Sequence, residues 1–336
     1  MGNVLIQYEP DGAAQREVVT WLLPAYAVKP LASDAAMTFV PALEEASSVA
    51  VEVWPATTAR DRAEVVAFAA YCEVGGTLVS QCYPISTSAV HRAVNDIWSS
   101  LSAARGQAQR AVYRIVSDGD SEPSYRFTFT RPATRNLEEL LDYCAAVGSP
   151  RTVTPLIVVD YGVLAEISEH YKAHRAEETM GSLHGQPYYC PQLRVIWVHV
   201  TSFTPLPSAE ASVSSVRIAA DGLTAAMSRV AKGDRLVGLI HSHIIDDPSQ
   251  RLTAATSETD ISVMCQKLPY AYQFSMMVNV VTSTGDLACG QLCWQRGNVV
   301  YRSGFLVLQR DRQEADLPIA AACEELGEDD FGGAEQ

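Results

Sequence analysis

The sequence predicts an α/β protein with two domains, in which helices and sheets form layers in an α+β arrangement. A length of 336 residues is sufficient for two domains of ordinary size and short for three. The composition is 48% hydrophobic and 19% charged, which is typical of a globular protein. Along the whole chain, Val-rich apolar runs follow segments of helical periodicity, and this mixture favours sheets covered by helices.

The predicted N-terminal domain covers residues 1–150 and has a mixed α/β pattern. Its strands are predicted at 4–8, 49–54 and 77–82, with helices at 60–72, 88–104 and 137–146 and a hairpin formed by 111–117 and 125–130. The Gly-Ser-Pro-Arg-Thr stretch at 148–152 marks the boundary. Neither phosphate-binding glycine pattern, GxGxxG or GxxxxGK[ST], occurs in this half, so its function is unknown and partner or substrate binding stays open.

The predicted second domain covers residues 151–312 and is more regular. Strands are predicted at 155–158, 180–185, 195–202, 236–243, 274–282, 286–294 and 299–309, and helices at 159–173, 219–230 and 258–267. Residues 313–336 are rich in acids and are predicted to be a disordered tail.

Charge and cysteine usage exclude several classes of partner. The net charge of −14 leaves no basic patch for a nucleic acid, and no apolar run approaches the roughly 18 residues of a membrane span. The first residues lack the basic and apolar regions of a signal peptide. The eight cysteines form no CxxC pair, which argues against a zinc knuckle and for buried thiols in a reducing, cytoplasmic compartment.

Two of the seven histidines form the sequence His241-Ser242-His243 at the end of an apolar predicted strand. Residues i and i+2 of a strand point to the same face, so the two imidazoles converge. Imidazole nitrogens are common zinc ligands, and this pair is a candidate metal site. The alternative is two surface histidines at a strand end.

A third ligand would be an acid near this strand end. Asp246, Asp247 and Asp260 are the candidates. Asp260 ends the sequence Ser257-Glu258-Thr259-Asp260, and Ser257 and Asp260 share a helix face. The same pattern before an apolar run is also a capping box, and a helix start aimed at a site can serve both purposes.

Glu178 precedes a predicted strand that contains Gly181 and Gly185. Glycines inside a strand indicate that another part of the chain packs or passes closely there. Taken alone, Glu178 reads as a solvated residue beside Glu177.

Together these three segments resemble the JAB/MPN family, and in particular its JAMM zinc metalloproteases. The family pattern is E-x-x-G-x-L-x-G, then His-Ser/Thr-His at a strand end, then Ser-x-x-Asp at a helix start. The sequence matches it at Glu178, Gly181, Leu183 and Gly185, at His241 and His243, and at Ser257 and Asp260. The resemblance covers about residues 152–309 and implies a mixed sheet flanked by helices.

The resemblance implies a role for each matched residue. His241, His243 and Asp260 would bind Zn²⁺ and leave one coordination position open, as in catalytic zinc sites. Glu178 would be the general base, and Ser257 would stabilise the oxyanion. Ser242 points to the opposite face and is expected to be structural, and His184 is expected to pack or lie at the surface, with an accessory ligand as the alternative.

One departure from the family pattern concerns the spacing after His243. Thirteen residues separate it from Ser257, more than the family usually has, and Ile244 replaces a proline that often stands there. The longer loop leaves Asp246 and Asp247 as substitute ligands. It is also expected to border the cleft.

The resemblance implies a peptidase that cleaves after the C-terminal Gly-Gly of a ubiquitin-like protein, in deconjugation or precursor processing. The expected partners are that protein or its conjugates and the enzymes that activate and conjugate it, and the Ala-rich composition favours a bacterial enzyme. Two alternatives are a non-catalytic MPN-type scaffold and a hydrolase that trims a sulfur-carrier protein.

Overall fold

The computed structural model describes residues 3–10, 18–43, 48–57, 64–85, 89–105, 110–117, 124–148, 150, 155–212, 216–218, 222, 224, 233–246, 268–296 and 299–309. The described residues form a mixed α/β structure with several sheets, as predicted. They fall into two compact units. Unit 1 lies within Met1–Pro132, Cys265–Ala271 and Gln295–Val300, and unit 2 takes Ala133–Met264, Tyr272–Trp294 and the chain from Tyr301.

Unit 1 contains two antiparallel sheets and two helices. The strands are β1 (Val4–Pro10), β2 (Val19–Leu22), β3 (Ser48–Thr57), β4 (Val65–Val74), β5 (Thr77–Pro84), β6 (Ala111–Ser117) and β7 (Tyr125–Thr130). The helices are α1 (Ala25–Phe39), followed by a 3₁₀ turn at Val40–Ala42, and α2 (Ala89–Arg105). The sheet orders are β2-β1-β6 and β5-β4-β3-β7.

A single apolar core joins the sheets and helices of unit 1. Two buried hydroxyl groups in this unit are paired. The hydroxyl of Tyr8 donates to the carbonyl oxygen of Val94 at 2.7 Å, and that of Tyr83 donates to the carboxylate of Asp34 at 2.9 Å. Pairing of this kind offsets the cost of removing polar groups from water.

Two predictions for this unit are wrong. The predicted helix at 60–72 is, where it is described, strand β4. Ala-rich sequence favours a helix locally, but β4 lies between β3 and β5 and forms ladders with both, so sheet pairing decides its conformation. The predicted hairpin is also wrong, because β6 pairs with β1 and β7 pairs with β3.

Unit 2 is built on a large mixed sheet. The strands are β8 (Ala133–Thr134), β9 (Cys144–Val147), β10 (Leu156–Asp160), β11 (Met180–Cys190), β12 (Val195–Leu206), β13 (Ser208–Ala211), β14 (Val216–Ile218), β15 (Arg235–Ile245), β16 (Phe274–Val281), β17 (Leu287–Arg296), β18 (Val299–Ser303) and β19 (Phe305–Leu308). The helices are α3 (Glu138–Leu141) and α4 (Tyr161–Ala173). The sheet order is β18-β17-β16-β15-β11-β12-β10-β19-β9, with β8 beside β11 and a separate β13-β14 pair.

Most strands predicted for this unit are confirmed, and β11 and β12 run further than predicted. The helix predicted at 137–146 is wrong over its second half, since only Glu138–Leu141 is helical and Cys144–Val147 pairs with β19 as β9. The helices predicted at 219–230 and 258–267, and the acidic tail, lie outside the described residues apart from 222 and 224. No helix of the described residues is long and apolar enough to cross a membrane.

Candidate metal centre

The two histidines of the His-Ser-His sequence lie near the end of β15, where neighbouring strands bracket them. β11 runs antiparallel on one side and β16 runs parallel on the other. His241 lies opposite Met180 on β11 and beside Met277 on β16. His243 lies beside Asn279 on β16. Cross-strand partners share a face, so both imidazoles project from the same side of the sheet, as predicted.

The imidazoles of His241 and His243 point toward each other. Their Nε2 atoms lie 3.0 Å apart, with ring centroids 4.9 Å apart. Two bare lone pairs repel at this distance, so a proton or a cation must lie between the nitrogens. Two imidazoles on one tetrahedral zinc, at Zn–N distances of about 2.0–2.1 Å, have their nitrogens about 3.3 Å apart. The pair therefore has the chemistry and nearly the spacing of two zinc ligands.

Glu178 lies two residues before the start of β11, the strand that pairs with β15. The pairing of Met180 with His241 continues one step further, because the Ser242 amide donates to the Thr179 carbonyl oxygen at 3.0 Å. A further step of the same register would bring Glu178 opposite His243. Glu178 is only 8% exposed, so the reading of a solvated residue is wrong. Burial is an environment in which a carboxylate can serve as a general base.

The backbone around Glu178 is fixed on both sides. Its own amide donates to the carbonyl oxygen of Ser212 at 2.7 Å, and the next amide, that of Thr179, donates to the hydroxyl of Ser242 at 3.0 Å. Leaving a buried amide without a partner costs about 1–3 kcal/mol. Ser242 thus faces away from the imidazoles and has a structural contact, as predicted.

The two glycines of β11 have the close neighbours that the sequence predicted. A Cβ at Gly181 would collide with the ring of Phe203, and a Cβ at Gly185 would collide with the carbonyl oxygen of His199. Gly185 lies at an irregularity where the β11 register shifts against β12. These glycines let β12 and its side chains pack tightly against the strand that follows Glu178.

His184 has a packing role in the structure. It is fully buried, and its Nε2 lies 2.8 Å from the hydroxyl oxygen of Ser182. Burial lowers the pKa of His184, an effect that the charge of Asp234 opposes. His184 lies further along β11, away from the His241–His243 pair.

Of the remaining predicted site residues, the structure describes only Asp246. Asp246 is exposed one residue beyond β15, and its carboxylate accepts a hydrogen bond from the Thr282 hydroxyl at 3.0 Å. Ser257, Asp260 and Asp247 lie outside the described residues. Within the described part of the chain, no three His, Cys, Asp or Glu side chains are grouped to hold a metal. Of the predicted site residues, the structure brings together the imidazoles of His241 and His243, and Glu178 directly precedes Thr179, whose backbone is bonded to Ser242 between them.

Asn279 is a site neighbour that the sequence reasoning missed. It is 3% exposed, and it is the one amide in the strand sequence FSMMVNVV, which is apolar apart from this residue and Ser275. Burying an amide is costly unless it is hydrogen-bonded, so its presence in such a strand was a usable signal. Ser212, which binds the Glu178 amide, gave no comparable signal.

A second polar cluster in unit 2 contains His199 and has a different character. Nε2 of His199 lies 2.7 Å from Oδ1 of Asp160, and Nδ1 lies 3.3 Å from a guanidinium nitrogen of Arg135. Arginine only donates, so Nδ1 accepts and the proton on Nε2 is donated to Asp160. Both ring nitrogens of His199 therefore have polar partners, unlike the His241–His243 pair, whose nitrogens face each other.

Comparison with known proteins does not place the chain in a family. No family model matches the sequence, and no curated protein matches it. Among solved structures, one similar chain is the solution structure of protein DSY2949 from Desulfitobacterium hafniense, a structural-genomics target. It has a TM-score of 0.33 and 16% sequence identity, and the match covers 47% of this chain and 96% of that one. A likeness of this size carries no conclusion about fold or function.

Proposed function

We propose that the protein is a zinc-dependent peptidase that cleaves after the C-terminal Gly-Gly of a ubiquitin-like protein, in a conjugate or a precursor. The observation that carries the proposal is the 3.0 Å approach of the Nε2 atoms of His241 and His243, with the buried Glu178 directly before a residue that is bonded to Ser242. The resemblance to JAMM proteases adds Ser257 and Asp260. Together these residues make a complete set for water-dependent amide hydrolysis.

His241 and His243 would hold the zinc ion with Asp260, and one position would stay open. Bound zinc would supply Lewis acidity at this place, which acidifies a water and polarises the carbonyl of the scissile amide. The neutral imidazole pair and a single carboxylate leave a net positive centre. That charge favours the developing oxyanion of an amide substrate.

Glu178 would accept the proton of the attacking water and later deliver it to the leaving amine. A base must stay within hydrogen-bond reach of the water throughout the reaction. The two main-chain hydrogen bonds on either side of Glu178 support this role, since they fix the segment that carries the carboxylate. The hydroxyl of Ser257 would donate a hydrogen bond to the oxyanion.

An extended Gly-Gly tail could be selected by a narrow groove leading to the site. Because glycine has no side chain, such a groove would admit a C-terminal Gly-Gly and exclude C-termini that carry larger residues. An extended peptide can also add as a strand to a sheet edge, with main-chain hydrogen bonds providing affinity. The substrate class follows from the family resemblance.

The test combines metal analysis with cleavage assays. We expect one zinc per chain by elemental analysis and hydrolysis of ubiquitin joined through its Gly-Gly end to a second protein. Zinc with no cleavage of any Gly-Gly conjugate or precursor would favour the scaffold alternative. Cleavage restricted to a sulfur-carrier precursor would favour the trimming hydrolase.

A further inference from the structure

We propose that Ser242 is a positioning residue for the general base, because its hydroxyl holds the Glu178 segment against the strand that carries both histidines. This inference rests on the proposed function and assigns a task to the residue between the two imidazoles. Ser242 would touch neither substrate nor metal. It would act through Thr179 and Glu178.

The contact replaces a regular part of the sheet ladder. In an antiparallel sheet, a hydrogen-bonded residue pair exchanges two main-chain N–H···O=C bonds. Between Thr179 and Ser242 one of these is present, from the Ser242 amide to the Thr179 carbonyl oxygen at 3.0 Å. The other is replaced, since the Thr179 amide donates to the Ser242 hydroxyl oxygen at 3.0 Å. A side chain thus completes the pairing at the point where β11 begins.

The Ser242 hydroxyl is therefore one of the three hydrogen-bonding groups that fix the backbone on either side of Glu178. On its other side, the Glu178 amide is bound by the carbonyl oxygen of Ser212 at 2.7 Å. Removing the hydroxyl leaves the Thr179 amide without its acceptor, and Thr179 is only 6% exposed. Water therefore has little access to replace the bond. The segment would re-orient to satisfy the amide, and the carboxylate would move with it.

A small displacement of a general base has a large effect on rate. A misplacement of about 1 Å can reduce turnover by about 100-fold. Removing a group that orients a catalytic or metal-binding side chain by hydrogen bonding typically lowers activity or metal affinity about 10–100-fold. The histidines, in contrast, are fixed by ladders to β11 and β16 that do not involve the Ser242 hydroxyl. Loss of the hydroxyl should thus affect turnover and leave metal binding unchanged.

The chain provides a matched control in unit 1. The Ser33 hydroxyl oxygen accepts the amide of Ala271 at 2.8 Å, and Ser33 is 1% exposed, as is Ser242. Ser33→Ala removes the same kind of buried bond at a position outside the proposed site. Ser242→Thr keeps the hydroxyl, and Ser242→Cys keeps the approximate size with a weaker acceptor.

The experiment measures zinc content, thermal midpoint, kcat and KM for the wild type and these variants. The substrates are a fluorogenic peptide amide ending in Gly-Gly and ubiquitin joined to a second protein. We expect Ser242→Ala to lower kcat about 10–100-fold with KM and zinc content unchanged. Ser242→Thr should recover most of kcat, and Ser33→Ala should lower only the thermal midpoint. If Ser242→Ala does not fold, Ser242→Cys should show the same loss of kcat.

Two results would overturn the role of Ser242 while the proposed function stands. One is a kcat for Ser242→Ala, or for Ser242→Cys if alanine does not fold, that equals that of Ser33→Ala. The other is an equal loss of kcat in Ser242→Ala and Ser242→Thr, which would make the hydroxyl irrelevant. A wild-type protein that cleaves neither substrate would instead overturn the proposed function, and this role with it.

Discussion

The ring of Phe203 fills the space that a side chain at position 181 would need. On its other side the ring packs against α4, with centroid distances of 5.5 Å to His170 and 6.4 Å to Tyr171. Gly181 lies on β11, which begins two residues after Glu178. Phe203 therefore links the packing of α4 to the strand that follows the candidate base.

Replacement of Gly181 by alanine is expected to destabilise the protein. The added methyl group must displace the Phe203 ring from a filled interior, and overpacking of this kind costs about 1–3 kcal/mol. Chemical denaturation would measure the loss in unfolding free energy. Gly162 is the control, because nothing lies within 4 Å of a Cβ there and alanine at a helical position should be neutral or stabilising. Equal stabilities for both variants would contradict the packing argument, and a Phe203→Leu change should partly rescue Gly181→Ala.

Replacing His241 and His243 together with alanine is expected to abolish zinc binding. Both Nε2 atoms of the close pair are lost, and a carboxylate alone holds zinc weakly at this kind of site. The fold should persist, since β15 keeps its ladders to β11 and β16. Elemental analysis and circular dichroism measure the two properties. A folded double variant with full zinc occupancy would remove these residues from the ligand set.

Glu178→Gln is expected to keep zinc and lose most hydrolysis. The amide has nearly the shape of the carboxylate but cannot accept the proton of a water, and general-base catalysis contributes about 10²–10⁴-fold. Single-turnover rates on a Gly-Gly conjugate would show the loss. Glu177→Gln is the neighbouring control and should retain activity. An unchanged rate for Glu178→Gln would exclude Glu178 as the base.

His170 is expected to make the protein less stable in acid. Burial, with a smaller effect of the nearby His174, lowers the pKa of His170 from 6.5 to about 4. Between these pH values the unfolded chain binds a proton at this site that the folded protein does not, so the free energy of unfolding falls as pH falls through this window. His170→Gln should flatten that dependence in denaturation curves measured from pH 7 to 4. Identical slopes for variant and wild type would contradict the assignment.

Shortening the long loop after His243 is expected to raise KM for a protein substrate more than for a short peptide. The first two residues of the predicted loop belong to strand β15, because Ile244 and Ile245 still pair with β16. Ile245 is also buried against Val281. The deletion should therefore lie beyond Asp246, within residues 247–255. Loops beside a rigid site commonly determine specificity. Steady-state kinetics would distinguish the cases. Equal losses of activity on both substrates would indicate that the loop only supports the metal site. No loss on either substrate would indicate that the loop has no role in the reaction.

The pattern of apolar residues was sufficient to locate most elements of unit 2 and, in unit 1, helix α2 and the strands β1, β3, β5, β6 and β7. β15 and β16 are long Val- and Ile-rich runs, and α2 has clear helical periodicity, so local sequence and final structure agree. β4 differs, because its alanines favour a helix and only the ladders to β3 and β5 make it a strand. The predicted hairpin is wrong for a similar reason, because β6 and β7 follow each other in the chain but pair with strands of different sheets.

The sequence by itself determined which residue types are available for chemistry: the His-x-His spacing places two imidazoles on one face of any strand, and two glycines in β11 require close packing. Only the tertiary structure decided that Glu178 is buried, and that a serine hydroxyl binds the amide of the residue that follows it. The spacing of i and i+2 residues is a property of the strand backbone and needs no partner. The register between β11 and β15 depends on contacts between residues fifty or more positions apart, and no local pattern encodes such contacts.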